Sequence, residues 1–206
     1  MFLRKVFSVL FLQLLMTTVV STVLSLQNIS GWVHENQWSF IIPLVGSLVS
    51  MFVLFWKRHS HPLNLILLGL FTFMESLSVG VIVSYVDQKV VLQALIITLF
   101  TFAGLTLFTL WSDWDFGKMG PYLFGGLMLL VGAGFIQMFL PYSRSTDLIF
   151  AIGGTLIFSL YIVYDVWLIT KRLHPDEWIM ANISLYLDII NLFINILRIL
   201  NGTRDD

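Results

Sequence analysis

The stretch Ser184-Leu-Tyr-Leu-Asp188-Ile-Ile-Asn191-Leu-Phe-Ile-Asn195-Ile-Leu-Arg198 decides how the chain is read. At 100° per residue, Ser184, Asp188, Asn191, Asn195 and Arg198 fall on one stripe about 80° wide. The remaining faces are mostly Leu, Ile and Phe. Lipid cannot satisfy such a stripe, so it must face other helices or water. A helix of this kind belongs at the centre of a bundle, and the rest of the sequence supplies one.

The chain has 206 residues, of which 58% are hydrophobic and 11% charged. A soluble domain carries about 25% charge, so the expected class is all-α and polytopic in a membrane. Spans are expected at 6–26, 38–56, 63–86, 90–111, 119–140, 147–170 and 178–200, seven helices in a single domain covering 1–206. The breaks are explicit: Lys57-Arg58-His59-Ser60-His61-Pro62, Asp87-Gln88-Lys89, Ser112 to Lys118, Pro141 to Thr146 and Lys171 to Glu177. Trp32, Trp38, Trp56, Trp111, Trp114, Trp167 and Trp178 all sit at or just beyond span ends, where an amphipathic indole prefers the headgroup layer. The first run is longer than a signal-peptide core and no small-residue cleavage site follows it, so it is read as a span. Lys and Arg counts favour a cytosolic N-terminus. With a crossing last span they divide seven to four, and with a re-entrant one nine to two; the segment's length favours crossing.

Many chemistries are excluded. With no cysteine there is no disulfide, thiol nucleophile or Cys-ligated metal. The net charge of −1 gives no basic surface for nucleic acid. No nucleophile elbow, phosphate loop or dinucleotide fingerprint is present, and no enzyme is expected. His59 and His61 lack the further ligands a metal site needs. Gly125, Gly126, Gly132, Gly134, Gly153 and Gly154 are expected to serve close helix packing.

Three acids remain inside the spans: Glu75, Asp165 and Asp188. A charge near the bilayer centre costs from about 3 kcal/mol to more than 10, so such residues face an interior cavity and carry function. No Lys, Arg or His sits mid-span to neutralise them. Hydrogen bonding between helices, worth about 0.6 kcal/mol per bond, accounts for the Asn residues but poorly for an unpaired Asp. Counted from the loop joining the last two spans, Asp165 lies about 8 Å deep and Asp188 about 15 Å. Helix tilt would have to bring them level. Carboxylates and amide carbonyls suit Ca²⁺ or protons, and two or three acids make a weak, transient site of the kind conduction requires. Asp165 and Asp188 are the expected transient site for Ca²⁺ or protons, with Glu75 a second pathway candidate. Ser184, Asn191, Asn195 and Arg198 are the expected pathway lining.

Tyr164-Asp165 together with the Ser184–Asn195 stretch resembles the transmembrane BAX inhibitor motif family, also called Lifeguard. Phe2-Leu-Arg-Lys-Val-Phe-Ser and Arg58-His59…Pro62-Leu-Asn64-Leu resemble it too, closest to its Golgi anti-apoptotic protein branch. The resemblance covers nearly the whole chain. It implies seven helices with the last in the middle, a pH-sensitive Ca²⁺ leak from endoplasmic reticulum or Golgi stores, and restraint of apoptosis. It implies that the aspartate pair matching Asp165 and Asp188 senses pH. It further implies a basic partner at the end of the second span, where Arg58 and His59 are the candidates. No cofactor is expected, Ca²⁺ being the transported ion. The expected partners are Ca²⁺, protons, lipid and other membrane proteins of cell-death or calcium-store control. Two other readings stay open: a non-conducting interaction protein whose stripe only packs the bundle, and a proton-coupled Ca²⁺ exchanger.

Overall fold

The computed structural model describes residues 2–36, 38–139, 141 and 143–204, with the side chains of Gln27 and Asn28 outside the description. The described residues form α1 (Phe2–Leu24), α2 (Gln27–Glu35), α3 (Trp38–Lys57), α4 (Leu63–Ser84), α5 (Gln88–Trp111), α6 (Gly120–Gln137), α7 (Arg144–Lys171) and α8 (Trp178–Thr203). Short 3-10 turns at Phe116–Met119 and Pro175–Glu177 lead into α6 and α8. Among the described residues seven helices are long and apolar enough to cross a membrane, α2 being the one too short. The expected all-α polytopic fold stands.

Several boundaries move. α1 begins at Phe2, so Arg4 and Lys5 lie within the helix. Long basic side chains tolerate a helix end by reaching out to the interface, and the Lys5 ammonium sits 3.7 Å from the Trp178 ring centroid. α2 was not expected at all: Gln27-Asn-Ile-Ser-Gly-Trp-Val-His-Glu35 is polar and contains a glycine, yet folds as nine residues of helix. α6 stops at Gln137, short of the expected 140.

The chain divides into two compact units, Met1–Asp87 with His174–Tyr186, and Gln88–Leu173 with Leu187–Asp206. In the first, α4 packs along both α1 and α3. Gly80 permits this closeness, since a Cβ there would come within 3.2 Å of the Ser21 Cα and 2.6 Å of a Leu24 methyl carbon. A polar cluster is sealed inside. Gln13 donates to Thr72 Oγ1 at 2.9 Å, and Thr17 Oγ1 lies 3.0 Å from Ser76 Oγ and 2.8 Å from the Tyr186 hydroxyl. Thr17 also has its own Gln13 carbonyl as an acceptor at 2.9 Å, and Ser76 has that of Thr72. Either hydroxyl of the Thr17–Tyr186 contact can be its donor. Asn182 Nδ2 donates to the Val6 carbonyl at 2.9 Å. The Tyr186 ring, fully buried, meets Phe71 edge-on at 5.9 Å between centroids, a favoured aromatic geometry.

In the second unit α7 packs against α5, α6 and the Phe116–Met119 turn. Of the glycines expected to serve close packing, Gly126, Gly153 and Gly154 have neighbours within 4 Å of an added Cβ. Gly125, Gly132 and Gly134 face open space, so that expectation fails for them. α6 is the least buried of the spanning helices. α8, by contrast, is the most buried of the seven, with 61% of its spanning window covered.

Candidate functional site

The site lies on α7 and the second half of α8. α7 stays helical through Tyr164-Asp165 because its run of Leu, Ile, Phe, Tyr and Val contains no Pro, and the bilayer leaves the backbone no alternative partner. Asp165 and Asp188 are 9% and 7% exposed, and their side chains are hydrogen-bonded to one another. The helices therefore bring level two acids that lie six residues before the end of α7 and ten residues into α8. The intervening segment, including the Pro175–Glu177 turn, absorbs a difference of about 6 Å. Two carboxylates cannot donate to each other, so this contact requires one proton between them or a cation in its place. Neither carboxyl forms an ion pair among the described residues, and Asp188 Oδ2 is buried without a conventional donor. Tyr161 lies within electrostatic reach of both acids.

The rest of the expected stripe divides. Asn191 Nδ2 donates to the Leu187 carbonyl and Asn195 Nδ2 to that of Asn191, each at 2.8 Å along the helix itself. The Asn195 carboxamide lies directly on α7: a Cβ at Gly154 would come within 2.5–2.7 Å of its three terminal atoms. Arg198 is joined to Asp147, in the first turn of α7, by a salt bridge between partly exposed side chains. Arg144 donates to the backbone carbonyls of Gly202 at 2.5 Å and Arg204 at 2.8 Å, fastening the end of α8. Asp147 was not among the expected residues, although an acid opening α7 opposite a base closing an antiparallel α8 is a signal the sequence carries. Ser184 is exposed and belongs to the first unit.

Glu75, Arg58 and His59 also lie in the first unit. Glu75 is half-buried and hydrogen-bonded to Ser47. Arg58 Nε contacts His59 Nε2 at 3.1 Å and stacks over Phe55. No group of three or more His, Asp or Glu side chains able to hold a metal exists among the described residues. The acid pair offers two carboxyls.

A family model described as inhibitor of apoptosis-promoting Bax1 matches residues 1–205. The chain belongs to the Bax1-I family. Among Bax1-I relatives it is 47% identical to mouse Protein lifeguard 4, over 98% of this chain and 85% of that one. It is 41% identical to Bax inhibitor 1 of Schizosaccharomyces pombe, over 100% of this chain and 77% of the relative. It is 38% identical to the Golgi anti-apoptotic protein of Vaccinia virus, over 97% and 84%. Membership agrees with the resemblance carried by Tyr164-Asp165 and the Ser184–Asn195 stretch. As a Bax1-I protein with seven spanning helices, it is an integral membrane protein.

Proposed function

We propose that this protein is a proton-regulated Ca²⁺ leak pathway of an intracellular membrane, that it lowers store calcium and restrains apoptosis, and that it is not an enzyme. The observation that carries the reading is the buried contact between Asp165 and Asp188 with no basic partner. A lone carboxyl pair in a dry bundle can hold a proton, or exchange it for a cation, with little other chemistry open to it. One shared proton holds α7 and α8 together at that level. Changing the proton count alters the contact, and a few kcal/mol of bias is enough to shift an open–closed equilibrium. The names Bax inhibitor 1 and Golgi anti-apoptotic protein support restraint of cell death, and the second supports a Golgi location. The Lys and Arg distribution supports a cytosolic N-terminus.

The test is Ca²⁺ flux in liposomes that contain only the purified protein, compared with Asp188→Ala. The leak reading expects flux well above empty liposomes and strongly altered by the substitution. Flux equal to empty liposomes would favour the interaction-protein reading, which draws support from Asn191 and Asn195, whose amides bond within their own helix. Flux that requires an opposing ion gradient would favour the exchanger.

A further inference from the structure

The loop between α5 and α6 closes on the turn of α7 that carries Asp165. Its Asp115 side chain accepts from the Gly117 N–H at 2.9 Å and so shapes the Phe116–Met119 turn. Phe116 is buried with Val163 and Trp167, and Leu105, Met119 and Leu168 pack around them. Two glycines make the approach possible. A Cβ at Gly117 would come within 2.7 Å of Trp167 Cη2 and 2.9 Å of the loop's own Asp115 Oδ1, and one at Gly120 within 2.7 Å of the Tyr164 hydroxyl oxygen. Val163, Tyr164 and Trp167 are therefore the residues the loop grips.

Their positions around α7 matter. With Asp165 set at 0°, Tyr164 lies at about −100°, Trp167 at about −160° and Val163 at about 160°. The gripped residues are thus centred nearly opposite the acid. The loop holds the rear of the turn, and the front presents the carboxyl to Asp188. The rings are well held: Tyr164 and Trp167 stack with centroids 6.4 Å apart, and the Arg172 guanidinium lies over Trp167. The other titratable and charged groups of this region are Tyr161 on α7, Asp188 on α8 and Asp113, Asp115 and Lys118 of the loop.

We propose that Asp115–Gly120 is the positioning element for Asp165: Gly117 and Gly120 admit the loop to the rear of the α7 turn, and that seat sets the rotation at which Asp165 meets Asp188. A methyl group at either glycine pushes on Tyr164 or Trp167 from behind and turns the acid away from its partner. The atoms nearest an added Cβ at either glycine do not include the Asp165 or Asp188 carboxyl, so both act through α7. The inference rests on the reading of the acid pair as the proton-sensing site.

The experiment is an infrared titration of the carboxyl C=O bands of the full chain, assigned with Asp165→Asn and Asp188→Asn. It needs no ion flux, so absence of Ca²⁺ transport would overturn the proposed function and leave this test standing. Gly120→Ala is expected to move the midpoint of the pair by about half a pH unit or more, a small change on the scale of buried carboxyls. Tyr164→Phe removes the nearest atom the new methyl would strike and leaves Cζ at 3.1 Å, so it should move the midpoint little alone and restore most of it in the double variant. Gly117→Ala with Trp167→Phe is the second, independent pair. Gly125→Ala, which faces open space, should leave the titration unchanged. Wild-type midpoints in both folded glycine variants would overturn the proposal, as would shifts that neither partner substitution reverses. Should a glycine variant fail to fold, its paired substitution decides: a folded protein with the wild-type midpoint supports the seat, and failure to recover at both positions contradicts it.

Discussion

Tyr186 and Asp188 stand two residues apart on α8, about 200° around the helix, and their surroundings differ in kind. Tyr186 joins a set of neutral hydroxyls and amides in the first unit, each within reach of a partner or of its own helix carbonyl. Asp188, in the second unit, meets another acid and keeps a buried oxygen with no donor. Buried polar groups are ordinarily satisfied, and a satisfied network rigidifies its surroundings. An unsatisfied carboxyl in a bilayer is expensive and persists where it has work to do. Polarity alone therefore does not mark the functional part of α8; incomplete satisfaction does. The first unit has orphans too, Ser21 Oγ, Asn64 Oδ1 and Asn182 Oδ1, but these are neutral atoms whose cost is about 1–3 kcal/mol each.

The comparison can be broken or sharpened by substitution. Asp188→Ala should change Ca²⁺ flux in liposomes by about tenfold or more, the effect of roughly 1.4 kcal/mol on a barrier. A change within the scatter of wild type would erase the distinction between the two loci. Gly154→Ala should cost about 1–3 kcal/mol through overpacking, because the new methyl enters the space of the Asn195 carboxamide. Thermal unfolding in detergent reads that loss. Tyr186→Phe should cost about 1–2 kcal/mol by removing a buried hydroxyl from its hydrogen bond while leaving the pH dependence of flux as in wild type. A flattened pH profile in this variant would move the sensor to the hydroxyl cluster. Asp147→Asn should cost at most about 1 kcal/mol, because the Arg198 pair is partly open to solvent. That loss should shrink further as salt is raised.

Much of this was visible before folding was considered. The break at Lys57–Pro62 ends α3, whereas α4 stops at Ser84 and α5 begins at Gln88, inside the break read at Asp87–Lys89. Asp165 and Asp188 stood out because acids are rare in apolar runs without a base nearby. Their meeting was less legible, since depth counted from the connecting loop sets them apart and only the path of that loop removes the offset. The hydroxyl cluster was silent for a different reason. Thr17, Thr72 and Ser76 can each donate to a carbonyl one turn back, so nothing in the sequence requires them to meet other helices. α2 went unseen because a short polar segment with a glycine reads as a loop. Asp147 was passed over because attention to charges in mid-span overlooks one that opens a helix.

The most direct test of the account is Ca²⁺ flux against pH for wild type, Asp165→Asn, Asp188→Asn and the double variant. Two acids that share a proton titrate as a pair, and the apparent values belong to the pair. The account predicts that either single substitution removes most of the pH dependence and that the double variant adds little more. Wild-type pH profiles in both single variants would contradict it.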